Sequence, residues 1–400
     1  MRDRRDSDGE PGGPGLALKP SLARTSAVAI AAGAATVLPG FLVGVLALQI
    51  RADLDVSVGA VAAGVTVFFA AGAFGAGPGG RLAERVGALR AMRGALVAVA
   101  LLLAAASFAP SLALLLLPLA LAGVANAVCQ PAINLFMADQ VARDRQGLAF
   151  GIKQTAIPSA VLVSGLALPL LALPFGWRPT MGICAAGALA VAVVVRRTAS
   201  AFAPPAEREP APRPSRALLM TAVGAALGSS GPCALGAYLV ASAVDVGIGE
   251  GAAGLLAALG SAASLMVRIA FGVRADRRRD YGYGMVVALL ASGSTGFLLL
   301  ATGVVGPFVA GAVVAFGLGW GWPGLFNLAV VELNRHAPGA ATGVTQSGIY
   351  VGAAGGPAVF GLASSELGYD AAWAGAGLLM LLAATAFAYA ARLSGAARSL

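Results

Sequence analysis

The stretch Gly80–Arg93, GRLAERVGALRAMR, is a short basic segment between two long apolar runs, and Gly272–Arg279, GVRADRRR, is its counterpart. The two segments begin 192 residues apart, and at each of them an apolar run ends in the pattern G-x-x-A-[DE]-R. At this offset Ala83, Glu84 and Arg85 match Ala275, Asp276 and Arg277. The repeat of an acid–arginine pair indicates a duplicated sequence rather than chance agreement between apolar runs.

The same offset holds well beyond the basic segments. Further matched pairs are Pro131 with Pro323, Gly147, Ala149 and Gly151 with Gly339, Ala341 and Gly343, Gln154 and Ile157 with Gln346 and Ile349, and Gly176 with Gly368. Each copy is about half of the chain, and two similar halves in a membrane protein are typical of transporters built from repeats.

The composition is that of a protein that crosses a membrane many times. Hydrophobic residues make up 58% and charged residues 11% of the chain, whereas soluble domains contain roughly 25% charged residues. A membrane span needs about 20 apolar residues. Twelve runs qualify, with approximate limits 25–49, 57–79, 92–109, 112–138, 147–173, 178–195, 217–244, 251–272, 283–303, 306–331, 340–363 and 371–391. We number them span one to span twelve and predict that all are helices.

The basic residues lie mostly on one side of these spans. With the N-terminus inside, only Arg51 and Arg178 fall outside, which follows the positive-inside rule. We therefore expect a protein of the cytoplasmic membrane with both termini in the cytoplasm and the lipid bilayer as its surroundings. The net charge of +9 is accounted for by this asymmetry, and no aromatic-rich basic patch suggests nucleic acid.

The polar stretches divide the chain into five parts. Residues 1–24 are expected to be a disordered cytoplasmic tail and residues 25–196 the first six-helix bundle. A linker follows at residues 197–216, where several prolines disfavour a helix. Residues 217–392 form the second six-helix bundle, and residues 393–400 a short cytoplasmic tail.

The six-plus-six arrangement and the segment G-x-L-A-[DE]-R-x-G between spans two and three resemble the major facilitator superfamily. The resemblance implies an all-α membrane fold of twelve helices in two pseudo-symmetric bundles, and a gate at the basic segments. The gating residues it implies are Gly80, Glu84, Arg85, Gly87, Arg90, Gly272, Asp276 and Arg277. These arginines could instead be simple positive-inside anchors, but the repeated acid would then have no explanation.

Polar side chains inside the spans are candidates for solute binding, because they are costly in a bilayer. Asn126, Gln130 and Asn134 are spaced by four residues and lie on one helical face. They could line a central cavity, as span four does in the family, or make hydrogen bonds between helices. Further candidates, for which packing is the alternative, are Tyr238, Trp320, Asn327, Gln346 and Tyr350.

Two basic residues lie inside the spans, Lys153 in span five and Arg268 in span eight. Both could reach the cytoplasmic interface with their long side chains. Arg268, however, belongs to R-x-x-x-G-x-x-A-D, which is similar to the span-eight arginine of monocarboxylate and oxalate/formate carriers, where it pairs with a carboxylate. Because spans five and eight meet between the halves in this fold, the two cations could face one another.

These features favour a secondary transporter for a small organic anion, such as a carboxylate. A cationic drug would require an acidic residue in its binding site, and no Asp or Glu lies in the middle of a span. The alternative is a drug or metabolite efflux pump with a mainly apolar cavity. A receptor would need a soluble domain, and an enzyme would need a nucleophile with a base or a metal cluster. We expect a monomer without cofactor or metal, and leave the coupling ion and direction open.

Overall fold

Helices account for nearly all of the chain that the structure describes. This computed structural model describes residues 22–140, 152–196, 214–278, 282–335 and 338–394, without the side chains of residues 22, 138–139, 276–278 and 338–340. Within these ranges ten helices are long and apolar enough to cross a membrane, and Gly284–Leu300 is a shorter apolar helix. One of the ten, Pro338–Leu393, is two spans joined at a kink. The twelve predicted spans are therefore all present as helices.

The first half contains spans one to six. Their bounds are Leu22–Val45 for span one, followed by a short helix Ala47–Leu54, then Val58–Val86, Ala88–Ser107 and Leu112–Gln140 for spans two to four. Span five comprises Ala156–Ala167, a π-helical turn Leu168–Ala172 and Leu173–Phe175, and span six is Trp177–Arg196. The expected start of span five at residues 147–151 lies outside the described residues, and a turn at residues 154–155 interrupts the predicted helix before Ala156.

The second half contains spans seven to twelve. Spans seven to nine are Arg216–Asp245, Glu250–Arg278 and Gly284–Leu300. Span ten comprises Val305–Val314, a π-helical turn Ala315–Gly319 and Pro323–Leu333. Spans eleven and twelve share Pro338–Leu393. Serine side chains cap the helix starts at Ser57 and Ser215, where each accepts a hydrogen bond from the backbone N–H three residues on.

Three turns between neighbouring spans are each made by one glycine with a positive φ. The φ values are 89° at Gly87, 86° at Gly176 and 84° at Gly368. Only glycine adopts this backbone conformation without strain, because it has no Cβ atom. Gly176 and Gly368 are a matched pair of the 192-residue repeat, so the duplicated sequence has a duplicated backbone conformation. We call the side of the membrane where Gly87 lies the hairpin side and the opposite side the far side.

The two halves come into backbone contact in the part of the molecule toward the far side. A Cβ atom at Gly44 in span one would lie 2.8 Å from the carbonyl oxygen of Gly236 in span seven. A Cβ atom at Gly165 in span five would lie 2.7 Å from the carbonyl oxygen of Gly254 in span eight. Small residues allow helices in a membrane to approach this closely. The close crossings hold spans one and five of the first half against the second half.

Candidate functional site

Arg268 of span eight lies at the contact between the halves, with only 7% of its surface exposed. Its Nε and Nη2 atoms donate hydrogen bonds to the carbonyl oxygen of Trp320 at 3.2 and 2.7 Å. Its Nη1 donates to the carbonyl oxygen of Gln154, in the turn that precedes the first helix of span five. The guanidinium therefore joins its own half to the first half, and it does so through neutral backbone acceptors.

The carbonyl of Trp320 is accessible to Arg268 because span ten is interrupted there. The helix widens into the π-helical turn Ala315–Gly319 and resumes only at Pro323. Residues 320–322 form a turn outside both helices, and Pro323, which has no backbone N–H, cannot donate to the helical acceptor four residues earlier, Gly319. The hydroxyl of Ser264, one turn before Arg268 in span eight, also donates to Trp320 at 3.4 Å. Two side chains of span eight thus satisfy the backbone at this interruption.

Lys153 is the second buried cation, with 8% of its surface exposed. Its Nζ donates a hydrogen bond of 2.9 Å to Oδ1 of Asn134 in span four. Lys153 precedes Gln154 in the chain, so its backbone lies next to the acceptor of Arg268, while its side chain bonds to span four of the first half. Among the described residues neither cation forms an ion pair; the pairs found are Arg178–Asp53 and Arg335–Glu332.

The polar row of span four makes hydrogen bonds within the first half. Asn126 is buried, and its Oδ1 accepts hydrogen bonds from Nε2 of Gln130 at 3.1 Å and from Oγ1 of Thr36 in span one at 3.2 Å. Asn134, two turns further along, is exposed and is the partner of Lys153. Hydrogen bonding between helices, the alternative reading of this row, is therefore present at Asn126 and Asn134.

The aromatic candidates divide into two groups. Trp320 lies at the site: its ring is 5.5 Å from that of Phe41 in span one and 5.8 Å from that of Phe316. Tyr238 instead contacts Phe360 of its own half, with ring centroids 4.9 Å apart. Trp320 thus contributes to the contact between the halves, whereas Tyr238 packs inside one of them.

The remaining candidates of spans ten and eleven have different surroundings. Asn327 donates to the carbonyl of Pro323 in its own helix at 2.8 Å. Tyr350 is buried in span eleven, with a ring carbon 3.7 Å from the Cβ position of Gly72 in span two. Gln346 lies half-buried one turn before it. Tyr350 therefore lies beside span two of the first half, while the described hydrogen bond of Asn327 is local.

The predicted gate lies at the hairpin side, and the structure describes part of it. Glu84 is half-buried, Arg85 and Arg90 are exposed, and Gly87 makes the turn. Space is open at Gly80 and Gly272, where a Cβ atom would meet nothing within 4 Å. The side chains of Asp276 and Arg277 lie outside the described residues. The pairing of Glu84 and Asp276 with basic groups therefore stays a prediction.

Three contributors to the site were not identified from the sequence. Gln154 supplies its carbonyl, Phe41 packs on Trp320, and Thr36 donates to Asn126. The 192-residue repeat could have pointed to Gln154, because this residue matches Gln346 in the second half. Thr36 and Phe41 had no comparable signal, since a threonine or phenylalanine in an apolar helix is ordinary.

Comparisons with known proteins agree with this architecture. A family model described as Major Facilitator Superfamily matches residues 26–345. A crystal structure of a bacterial homolog of the human lysosomal transporter Spinster, inward-facing and unoccupied, has a TM-score of 0.68 at 16% identity, covering 95% of this chain and 98% of that one. A second such structure, inward-facing and occupied, has a TM-score of 0.66 at 16% identity, covering 95% and 96%.

No curated protein matches the chain. At these identities the structural likenesses show the fold alone, and the family model provides the evidence for descent because it spans most of the sequence. The chain therefore belongs to the Major Facilitator Superfamily, whose members are multi-pass membrane transporters of small-molecule solutes.

Proposed function

We propose that this transporter moves a small organic anion, such as a carboxylate, across the cytoplasmic membrane by alternating access. The observations that support it are two buried cations: Arg268, which bonds across the contact between the halves, and Lys153, which is next in sequence to the residue whose carbonyl Arg268 binds. A buried charge without a counter-charge is costly. Within the described ranges their hydrogen-bond acceptors are neutral carbonyl and amide oxygens. An anionic solute would provide the missing negative charge.

Binding would also change the contact between the halves. A carboxylate accepts hydrogen bonds roughly twice as strong as those of a neutral carbonyl, and its two oxygens match the planar fork of a guanidinium. It would therefore displace the carbonyl of Gln154 from Arg268 and loosen one connection between spans five and eight. Lys153 would provide a second positive charge from the first half. Solute binding would in this way favour the rocking of the two halves.

The distribution of basic residues supports an orientation with the hairpin side in the cytoplasm. Arg81, Arg85, Arg90 and Arg93 all lie around the turn at Gly87, whereas Asp53 and Asp55 lie at the far side. Positive residues of short loops remain on the cytoplasmic side during insertion. Arg268 and Lys153 would then be reached from the cytoplasmic half of the molecule.

A second candidate is export of a lipophilic drug or metabolite. The rings of Phe41, Phe69, Phe316 and Trp320 form a continuous set of contacts at the site, with centroid distances from 5.5 to 5.8 Å. These rings are buried against one another, and they would offer an apolar surface to a solute, without help from a charge, once the two halves move apart. The two candidates differ in how strongly transport depends on Arg268.

Uptake into proteoliposomes tests the proposal. Labelled carboxylates, neutral analogues of the same shape and lipophilic cations are compared on the wild type and on Arg268→Lys, Arg268→Gln and Lys153→Gln. Losing a charge-assisted hydrogen bond costs about 1.5–3 kcal/mol, so the affinity for the carboxylate should fall roughly ten- to a hundredfold. The affinity for a neutral analogue should be nearly unchanged. Arg268→Gln should have the largest effect, because Lys keeps the charge and loses only the fork.

Arg216→Gln is the matched control, since Arg216 is an exposed arginine of the second half that lies outside the gate segments. Thermal unfolding of each variant separates a loss of binding from a loss of folding, because Arg268 also satisfies the carbonyl of Trp320. A cationic solute as the best substrate, or carboxylate transport at the wild-type rate in all three variants, would refute the anion site and favour the second candidate.

A further inference from the structure

A groove lies between spans three and six at their hairpin-side ends. Its cavity volume is about 320 Å³, and it is lined by Arg93, Val97, Leu189, Ala192, Val193 and Arg196. Neither span carries a residue of the proposed anion site, so the groove requires a separate explanation. Its lining combines two arginines with four apolar side chains and contains no acidic residue.

The charged and apolar residues of the groove lie at different depths in the membrane. Arg93 lies in the second turn of span three, and Arg196 is the last residue of span six. Val97 is one turn deeper than Arg93, and Val193 is about one turn deeper than Arg196. Leu189 is deeper again, about 10 Å from Arg196 along the helix axis at 1.5 Å per residue. The groove is therefore basic at its mouth and apolar toward the middle of the bilayer.

The groove is open toward the surrounding lipid. Arg93 and Arg196 are exposed, and the exposed fractions of Leu189 and Val193 are 49% and 45%. Ala192 forms a buried floor between the two helices. A small side chain at this position leaves room that a leucine would fill. An occupant with one apolar chain could lie along Val193 and Leu189 while its polar end meets both guanidinium groups.

We propose that this groove binds an anionic phospholipid from the leaflet on the hairpin side. A phosphate diester is a good partner for two guanidinium groups, which offer planar pairs of N–H donors. Basic pockets between membrane helices on the cytoplasmic side are suited to anionic head groups. A free phosphate would use only the arginines, whereas a phospholipid uses the apolar wall as well. A role of the arginines as orientation anchors alone would not account for the apolar groove beside them.

Native mass spectrometry of the purified protein tests this proposal. Phosphatidylglycerol and phosphatidylcholine with identical acyl chains are titrated against the wild type and against the double variant Arg93→Gln/Arg196→Gln. We expect the wild type to retain phosphatidylglycerol in preference to phosphatidylcholine. The double variant should retain it about tenfold less, because it loses charge-assisted hydrogen bonds to the phosphate. Val193→Trp, which fills the apolar part and keeps both charges, should also lower retention.

The matched control is Arg216→Gln/Arg392→Gln, which removes two exposed arginines at the hairpin-side ends of spans seven and twelve. It should retain the lipid like the wild type, and thermal unfolding confirms that every variant is folded. Equal loss in the control would mean that the protein attracts anionic lipid only through its overall charge. Equal retention of the two lipids, or competition by glycerol phosphate as strong as by the lipid, would also overturn the proposal.

Discussion

Gly368 separates spans eleven and twelve, and its φ of 84° determines how the chain reverses there. With ψ at 167° this is a backbone region that essentially only glycine adopts, and placing a Cβ atom there costs roughly 1–3 kcal/mol. We therefore expect Gly368→Ala to lower the unfolding temperature of the purified transporter in a thermal scan.

Gly375 provides the control for this substitution. It lies in the helical part of span twelve, and a Cβ atom there would meet nothing within 4 Å. Gly375→Ala should leave stability unchanged or raise it slightly, since Ala is favoured over Gly in helices by up to about 1 kcal/mol. If both variants unfold at the same temperature, the turn at Gly368 is not under this backbone constraint.

Individual residues were predictable from the sequence when their type was unusual for their surroundings. Arg268 and Lys153 stood out because charged side chains are rare in membrane spans. Their partners did not, because Arg268 bonds to backbone carbonyls of Trp320 and Gln154, and every residue has a carbonyl. Which carbonyls are accessible depends on the interruption of span ten and on the packing of the halves. Neither can be read from a local pattern.

Spans five and eight pack closely against each other, and this packing contributes to the stability of the protein. They cross with backbone contact at Gly165 and Gly254. In Gly165→Ala the new Cβ atom would meet backbone atoms at 2.7 and 2.8 Å, and backbone cannot rotate away as a flexible side chain can. Overpacking of this kind costs typically about 1–3 kcal/mol. We expect a lower unfolding temperature and slower solute uptake.

Gly182→Ala is the comparison for this crossing, because a Cβ atom at Gly182 in span six would meet nothing within 4 Å. It should behave like the wild type in both measurements. A Gly165→Ala protein with wild-type stability and uptake would show that spans five and eight separate readily at this point.

At the level of helices, apolar length predicted the existence of all twelve spans but not their internal irregularities. The interruption of span ten is suggested by Pro323 and the glycines around Trp320, yet no local pattern identified the π-helical turn before it. Span nine is only 17 residues long, Gly284–Leu300, although its apolar run was expected over 283–303. Hydropathy shows which segment is apolar enough to lie in the bilayer. The residue at which its helix ends is determined by hydrogen bonding.

At the scale of the whole molecule, the repeat predicts that the two halves use equivalent acids in the gate. Glu84 and Asp276 occupy matched positions 192 residues apart. Glu84→Gln and Asp276→Asn should each slow uptake roughly tenfold, equivalent to about 1.4 kcal/mol in the barrier, because a neutral amide holds basic groups less strongly. Expression and unfolding temperature should change little.

Glu366→Gln is a suitable control for the gate, since Glu366 is an exposed acid near the far side. It should transport like the wild type. Wild-type uptake in both Glu84→Gln and Asp276→Asn would remove these acids from the gate and leave the neighbouring arginines as orientation anchors.

The hydrogen bond from Arg268 to Gln154 also bears on how the protein is assembled during synthesis. Domains of a growing chain generally fold in order from the N-terminus. Gln154 therefore reaches the membrane before span eight is made, and Trp320 follows only after a further 52 residues. In the interval, the carbonyl of Gln154 is the described acceptor of Arg268 that has already been synthesised. The first half can thus provide a hydrogen-bond acceptor for Arg268 before the rest of the second half is made.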